Sequence, residues 1–237
     1  MHYMGGKMRM RPYIVPILQK NKKDVYIEPF LGSGWIFTEM DAPKMIGNDI
    51  HTDLMMMWNA LLEGWIPPDS VTEEEYQALR KAEPSALRGF VGFAASFSGK
   101  WFGGYARDPR LKEGQFYTRN GYNSILRKVG LLEGKDVTFT CIDYREIDIP
   151  DTALVYCDPP YDNMTGYHGE QFNSFAFWQW CREQKALVFI SEYGAPGDFI
   201  TVGEFQTRTD MKDKNQKLIP RIEKLFVHRD RVDEVVL

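Results

Sequence analysis

Asp158-Pro159-Pro160-Tyr161 sets a carboxylate, two prolines and an aromatic ring in four consecutive positions. Neither proline has an N–H, so the Pro159 carbonyl is an acceptor with no donor competing beside it. A carboxylate and a carbonyl that both accept, next to a ring that stacks, suit a planar base carrying an exocyclic amine. The bland alternative is a proline turn after a strand, with Asp158 and Tyr161 there by chance.

A second group could cradle a ligand for such a site. The apolar run Val25-Tyr26-Ile27 leads into Glu28-Pro29-Phe30-Leu31-Gly32-Ser33-Gly34, and Met45-Ile46-Gly47-Asn48-Asp49-Ile50 follows. Strand, glycine turn, helix start and a second strand ending in an acid is the nucleotide-cradling order of a doubly wound sheet. Gly32-x-Gly34 lacks the third glycine of a pyrophosphate loop. It fits an adenosine without phosphates, with Gly32 and Gly34 allowing close approach and Asp49 accepting from ribose hydroxyls. Simple helix–strand packing would use the same glycines.

A third group is Ser98-Gly99-Lys100-Trp101-Phe102-Gly103-Gly104-Tyr105-Ala106-Arg107, followed by Arg110, Lys112, Arg119, Arg127 and Lys128. Interleaved glycines, rings and cations suit a loop that follows a phosphate backbone and wedges a ring between bases. On that reading Trp101 and Phe102 project from a hairpin tip, with Arg107 and Arg119 within reach of base edges. An ordinary loop with its rings in a satellite core is the alternative.

The elements that must position these groups are legible in outline. Ala153-Leu154-Val155-Tyr156-Cys157 carries no charge and predicts a buried strand whose carboxyl end presents Asp158, where open α/β sheets place ligands. Strands are also expected at Val137–Ile142 and Ala186–Ser191. Helices are expected over Pro12–Gln19, Leu54–Leu62, Val71–Ala82 and Phe172–Trp180, with Phe90–Phe97 a buried apolar stretch. Phe175, Phe177, Trp178 and Trp180 read as core. Asp162 to Gly169 has the composition of a lid. The cation-bearing tail from Thr207 to His228 reads as a solvated hairpin or a phosphate contact. The expected fold is α/β, a doubly wound Rossmann-like sheet built from residues 1–66 and 135–237. Residues 67–134 form an inserted helical and hairpin lobe.

Composition bounds the rest. The chain has 237 residues, 43% of them apolar, enough for a full core. A net charge of −4, from 29 basic and 33 acidic residues, is not that of a general nucleic-acid coater. Cys141, Cys157 and Cys181 have no metal-ligand spacing and read as thiols of a reducing compartment. No apolar run of membrane length and no signal peptide is seen, so the expectation is a soluble, cytoplasmic protein with no metal and no membrane partner.

Taken together, the motifs resemble the Dam family of adenine-specific DNA methyltransferases, phage-type members among them, over nearly the whole chain. Tyr3-Met4-Gly5-Gly6-Lys7 resembles the family's opening aromatic-x-Gly-Gly-Lys element. Glu28 to Gly34 resembles its cofactor loop, Asn48-Asp49 its second cofactor motif, and Asp158 to Tyr161 its catalytic signature. The resemblance implies S-adenosylmethionine as cofactor and double-stranded DNA as partner. It implies cofactor contacts from Tyr3, Lys7, Glu28, Phe30, Gly32, Gly34, Asp49 and Asp158, and a catalytic role for Asp158, Pro159, Pro160 and Tyr161. DNA contacts would come from Lys100, Trp101, Phe102, Arg107, Lys112 and Arg119, with residues 67–134 as the target-recognition region. The chain departs from the family at Trp101-Phe102-Gly103-Gly104-Tyr105, where an aromatic-Asn-Gly hairpin is usual, so the GATC target does not carry over.

The reaction so implied is methyl transfer to the exocyclic amine of an adenine flipped out of the duplex. Two alternatives stay open. One is an amino methyltransferase of cytosine, RNA adenine or protein glutamine. The other is a non-catalytic DNA-binding subunit of the same fold.

Overall fold

A computed structural model describes residues 6–107, 116–160, 172–207 and 221–237. Seven strands form one sheet: β1 (Val25–Glu28), β2 (Lys44–Asn48), β3 (Val137–Thr140), β4 (Leu154–Cys157), β5 (Leu187–Glu192), β6 (Phe199–Thr207) and β7 (Arg221–His228). Their order is β3-β2-β1-β4-β5-β7-β6. The first five are parallel, and Ile27 pairs with Val155 where the order reverses between β1 and β4. β7 runs antiparallel to both β5 and β6. The doubly wound sheet is as the sequence implies.

Side chains alternate between two cores, as the two-residue period of a strand requires. Tyr26, Leu154, Tyr156, Leu187 and Phe189 join one cluster, and Ile27, Val155, Cys157, Val188 and Ile190 join the other. The first cluster is completed by α1 (Arg11–Lys20), α2 (Thr52–Leu62), α4 (Ala86–Ala94), which packs on α2, and α5 (Thr118–Gly130), through Leu18, Trp58, Phe90 and Ile125. The second is covered by α6 (Ser174–Glu183), through Phe177, Trp180 and Cys181. Burial on both faces is why β4 reads as an unbroken apolar run, each such side chain contributing about 1.5–3 kcal/mol. Of the α6 aromatics read as core, Phe177 and Trp180 are buried, Trp178 is half-buried, and Phe175 faces solvent.

Between α2 and β3 the chain adds α3 (Glu73–Arg80), α4 and α5. α3 starts at a capping box, Thr72 and Glu75 satisfying each other's backbone N–H. α4 is capped by Ser85 and is bound to α2 by a part-buried pair, Arg88 donating at 2.6 Å to Asp53.

One expectation differs from the structure, one strand goes beyond the expectations, and the tail is a hairpin as read. The glycine turn leads not into a helix but into a single 3-10 turn, Phe37–Glu39, because Pro43 and the next strand follow within a few residues. β6 was not legible, since Gly203 and alternating polar residues disguise an edge strand. The tail is a β6–β7 hairpin whose connecting residues, including Arg208, Lys212, Lys214 and Lys217, lie outside the described residues. Lys224 on its stem pairs with Glu204 at 2.9 Å.

Candidate active site

The functional groups meet at the carboxyl ends of β1, β2 and β4, the crevice where the strand order reverses. β4 ends at Cys157, and Pro159 and Pro160 stop the ladder so that Asp158 leaves the sheet edge with its side chain 21% exposed. Tyr161 lies outside the described residues, as does Tyr3.

Lys7, in the 3-10 turn Lys7–Arg9, is buried and donates at 2.5 Å to Asp158 Oδ1. The same ammonium stands 3.0 Å from Glu223 Oε1 on β7, a buried acid the motifs did not single out. Asp158 is pushed up to about 6: burial raises it, Lys7 lowers it and Glu223 raises it again. Glu28, at the end of β1, is buried and accepts at 2.6 Å from the Tyr26 hydroxyl. Burial pushes its carboxyl well up, the tyrosine bond opposes this, and the charge of Asp158 adds to the rise.

The glycine loop is fixed from several directions. Asp49 accepts from the Gly32 N–H at 2.9 Å and from the His51 N–H at 3.0 Å. The Trp58 indole N–H donates at 3.1 Å to the Gly32 carbonyl. Lys128 of α5 donates to the Ser33 carbonyl, with its ammonium 3.7 Å from the centre of the Trp35 ring. Asn48 spans three strand ends, donating to the carbonyls of Pro29 and Ile142 and accepting from Ile142 N–H and Thr140. Gly34 has φ +64°, and a Cβ there would meet Trp58 at 2.9 Å, so glycine is required on two counts. Beside this loop the side chain of Ile50 is exposed. An open rim with backbone groups held at set positions, an acid at the end of β2 and an apolar side chain next to it fits a nucleoside. Phe30 turns the other way, into a ring cluster with Tyr144, Phe172 and Phe177 at 5.1–5.8 Å.

The loop read as a hairpin tip is built differently from the expectation. Phe102 is 6% exposed, and its N–H donates at 2.9 Å to the Gly92 carbonyl of α4. Trp101 is half-buried, packed edge-on against His51 at 4.3 Å and against Phe93 at 4.8 Å. A Cβ on Gly92 would lie 2.2 Å from Trp101. The helix therefore leaves a hole at Gly92 that these rings fill, and neither projects. The ring that does project is Phe97, 69% exposed, beside the Ser96–Tyr105 bridge that closes the loop. Lys100 and Arg107 are exposed, Arg107 held by both Glu73 oxygens at 2.5 and 2.6 Å. Arg119 pairs with Asp69. Lys112 and Arg110 lie outside the described residues. Lys128, grouped by sequence with the phosphate-following cations, is fully buried.

Residues 3–92 match the model of the D12 class N6 adenine-specific DNA methyltransferases. Over that stretch the chain is similar to this class, and beyond it to curated DNA adenine methylases. It is 27% identical to the DNA adenine methylase of Haemophilus influenzae, over 80% of this chain and 72% of that protein. It is 23% identical to the modification methylase StsI of Streptococcus sanguinis, over 89% of this chain and 36% of that protein. A phage relative, the DNA N-6-adenine-methyltransferase of Escherichia phage P1, is 27% identical over 79% of this chain and 27% of its own length. The chain thus spans little more than a third of the StsI methylase. Among the described residues no helix is long and apolar enough to cross a membrane, and no group of His, Cys, Asp or Glu could hold a metal ion.

Proposed function

We propose that this chain transfers a methyl group from S-adenosylmethionine to the exocyclic amine of an adenine flipped out of double-stranded DNA. The observation that carries the reading is Asp158, a half-buried carboxylate at the switch point with Lys7 on one oxygen, beside a glycine loop tied to Asp49. S-adenosylmethionine, when bound, supplies an electrophilic methyl on a sulfonium. Gly32, Gly34 and Asp49 would hold its nucleoside, and the Asp158 carboxylate suits its positive charge.

The amine nitrogen of adenine is a poor nucleophile because its lone pair is delocalised into the ring. Accepting its two N–H groups, at the Asp158 carboxylate and the Pro159 carbonyl, lets it pyramidalise and face the methyl. Orientation of this kind is worth about 7–11 kcal/mol in well-placed intramolecular reactions. Tyr161 stacked on the flipped base would return about 1–3 kcal/mol of the cost of leaving the duplex. Residues 67–134 are the proposed target-recognition region. Within it the wedge for the vacated stack is Phe97 rather than Trp101 or Phe102, with Lys100 toward phosphate and Arg107 toward a base edge. Arg107→Ala should then relax the preference at one base position of the methylated motif.

The test is transfer of tritium from labelled S-adenosylmethionine to unmethylated duplex DNA, followed by digestion to nucleosides. Label in N6-methyladenine supports the reading. Label in methylcytosine would replace the substrate, transfer to RNA or protein in parallel reactions with none to DNA would do the same, and DNA binding without transfer would replace the activity.

A further inference from the structure

Glu223 is buried on β7, and its Oε1 stands 3.0 Å from the same Lys7 ammonium that donates at 2.5 Å to Asp158. One cation serves two carboxylates, so the hold that Glu223 takes on it is withdrawn from Asp158. A lysine bound by Asp158 alone would draw the acceptor density that the target amine needs. We propose that Glu223 is a positioning residue for the reaction: from β7 it draws Lys7 into a shared bridge, and the Asp158 carboxylate keeps acceptor capacity for the adenine amine. This deepens the methyl-transfer reading of Asp158 and rests on it.

The charged and titratable groups around Asp158 come from four elements. They are Lys7 in the N-terminal turn, Glu28 on β1, Tyr156 and Cys157 on β4 and Glu223 on β7, while Lys128 of α5 acts on Glu28. Lys7 stabilises the ionised form of Asp158 and Glu223 opposes it. Glu223→Gln removes the repulsion but keeps an amide oxygen for Lys7, so Asp158 should ionise at lower pH. Lys7→Met removes the attraction, so Asp158 should ionise at higher pH. Shifts of opposite sign are what a bridge produces, and a merely structural role for Glu223 would leave the Asp158 titration where it was.

The experiment titrates the full chain by NMR of carboxyl-labelled aspartate, with Asp158→Asn to assign the resonance, and records methyl transfer against pH. Glu223→Gln is expected to lower the Asp158 midpoint by about one pH unit, and Lys7→Met to raise it. The acid limb of transfer should move with the midpoint, and kcat in Glu223→Gln should fall about tenfold while KM for the cofactor holds. An Asp158 midpoint unmoved in Glu223→Gln overturns the proposal, and so does a moved midpoint with kcat unchanged. If Glu223→Gln does not fold, Glu223→Asp keeps the charge and should hold the midpoint and kcat near wild type, and a tenfold loss of kcat there with the Asp158 midpoint unmoved overturns it equally. Failure of the wild-type chain to methylate DNA would sink the functional reading instead, and the bridge would still be judged by the titration.

Discussion

The two loops that face the proposed substrates are held by different balances of polar and apolar contact. The glycine loop is pinned by polar groups reaching in from outside: Asp49 on the Gly32 N–H, Trp58 on the Gly32 carbonyl, Lys128 on the Ser33 carbonyl. The loop from Ser96 to Tyr105 has polar anchors too, Gly104 N–H on the Tyr76 hydroxyl and the Tyr105 hydroxyl on the Val71 carbonyl, but adds a plug, Phe102 and Trp101 set over the gap at Gly92, with Phe97 left outside. Hydrogen bonds are directional, so the first arrangement fixes backbone donors and acceptors at set points, as a small ligand needs. An apolar plug fixes where a loop stands while leaving its apex uncommitted, which suits a surface that must meet a long polymer.

The sharpest way to break this contrast is within the second loop. Phe102→Ala should cost about 3–5 kcal/mol of stability, since it empties a core position. Phe97→Ala should change stability by no more than about 0.5 kcal/mol while weakening binding to duplex DNA. Urea unfolding beside DNA titration of both variants checks this, and equal stability losses would erase the distinction between plug and apex.

Next in size is Asp158→Ala, expected to lower kcat by about a hundredfold or more while DNA affinity holds. Single-turnover transfer with a gel-shift control measures both. Asp49→Ala then tests the polar clamp. Two backbone N–H groups lose their acceptor, and stability should fall by about 1–3 kcal/mol together with cofactor affinity. Calorimetric binding of S-adenosylmethionine that matched wild type would detach the clamp from the ligand.

The smallest effect concerns pH. Asp158 ionises at about 6 in the fold against 3.8 for an ordinary aspartate, so the folded state holds its proton more tightly than the unfolded chain. Its contribution to stability is therefore fully present below pH 3.8 and is lost as pH rises through about 6. Asp158→Asn should melt above wild type at pH 8, and the difference should shrink toward pH 4. A melting difference that grows on acidification would reverse the sign of this argument.

The readability of the sequence follows the range of each interaction. β4 and its exit were legible because an uncharged run and two prolines are local facts, and Gly34 because one residue type meets a local need. Asp49 was placed correctly at the end of β2, although its bond to Gly32 was not foreseen. Glu223 was invisible: Arg221-Ile222-Glu223-Lys224 reads as a charged edge, and only the position of β7 beside β5 brings it to Lys7. Trp101 and Phe102 were misplaced for the same reason, since the gap that takes them belongs to α4. Lys128 looked like one more surface cation beside Arg127, yet it is fully buried on the face of α5 turned toward Trp35.

That buried lysine limits how the protein can be re-engineered. The ammonium of Lys128 is rooted in the last helix before β3 but ends on the carbonyl of Ser33 and over Trp35, in a different part of the chain. Exchanging residues 67–134 for those of a relative would import a new partner for that carbonyl along with the new apex. A chimaera that keeps α5 native and swaps only the loop ahead of it preserves the joint, which makes the start of α5 the natural splice point for testing the proposed recognition region.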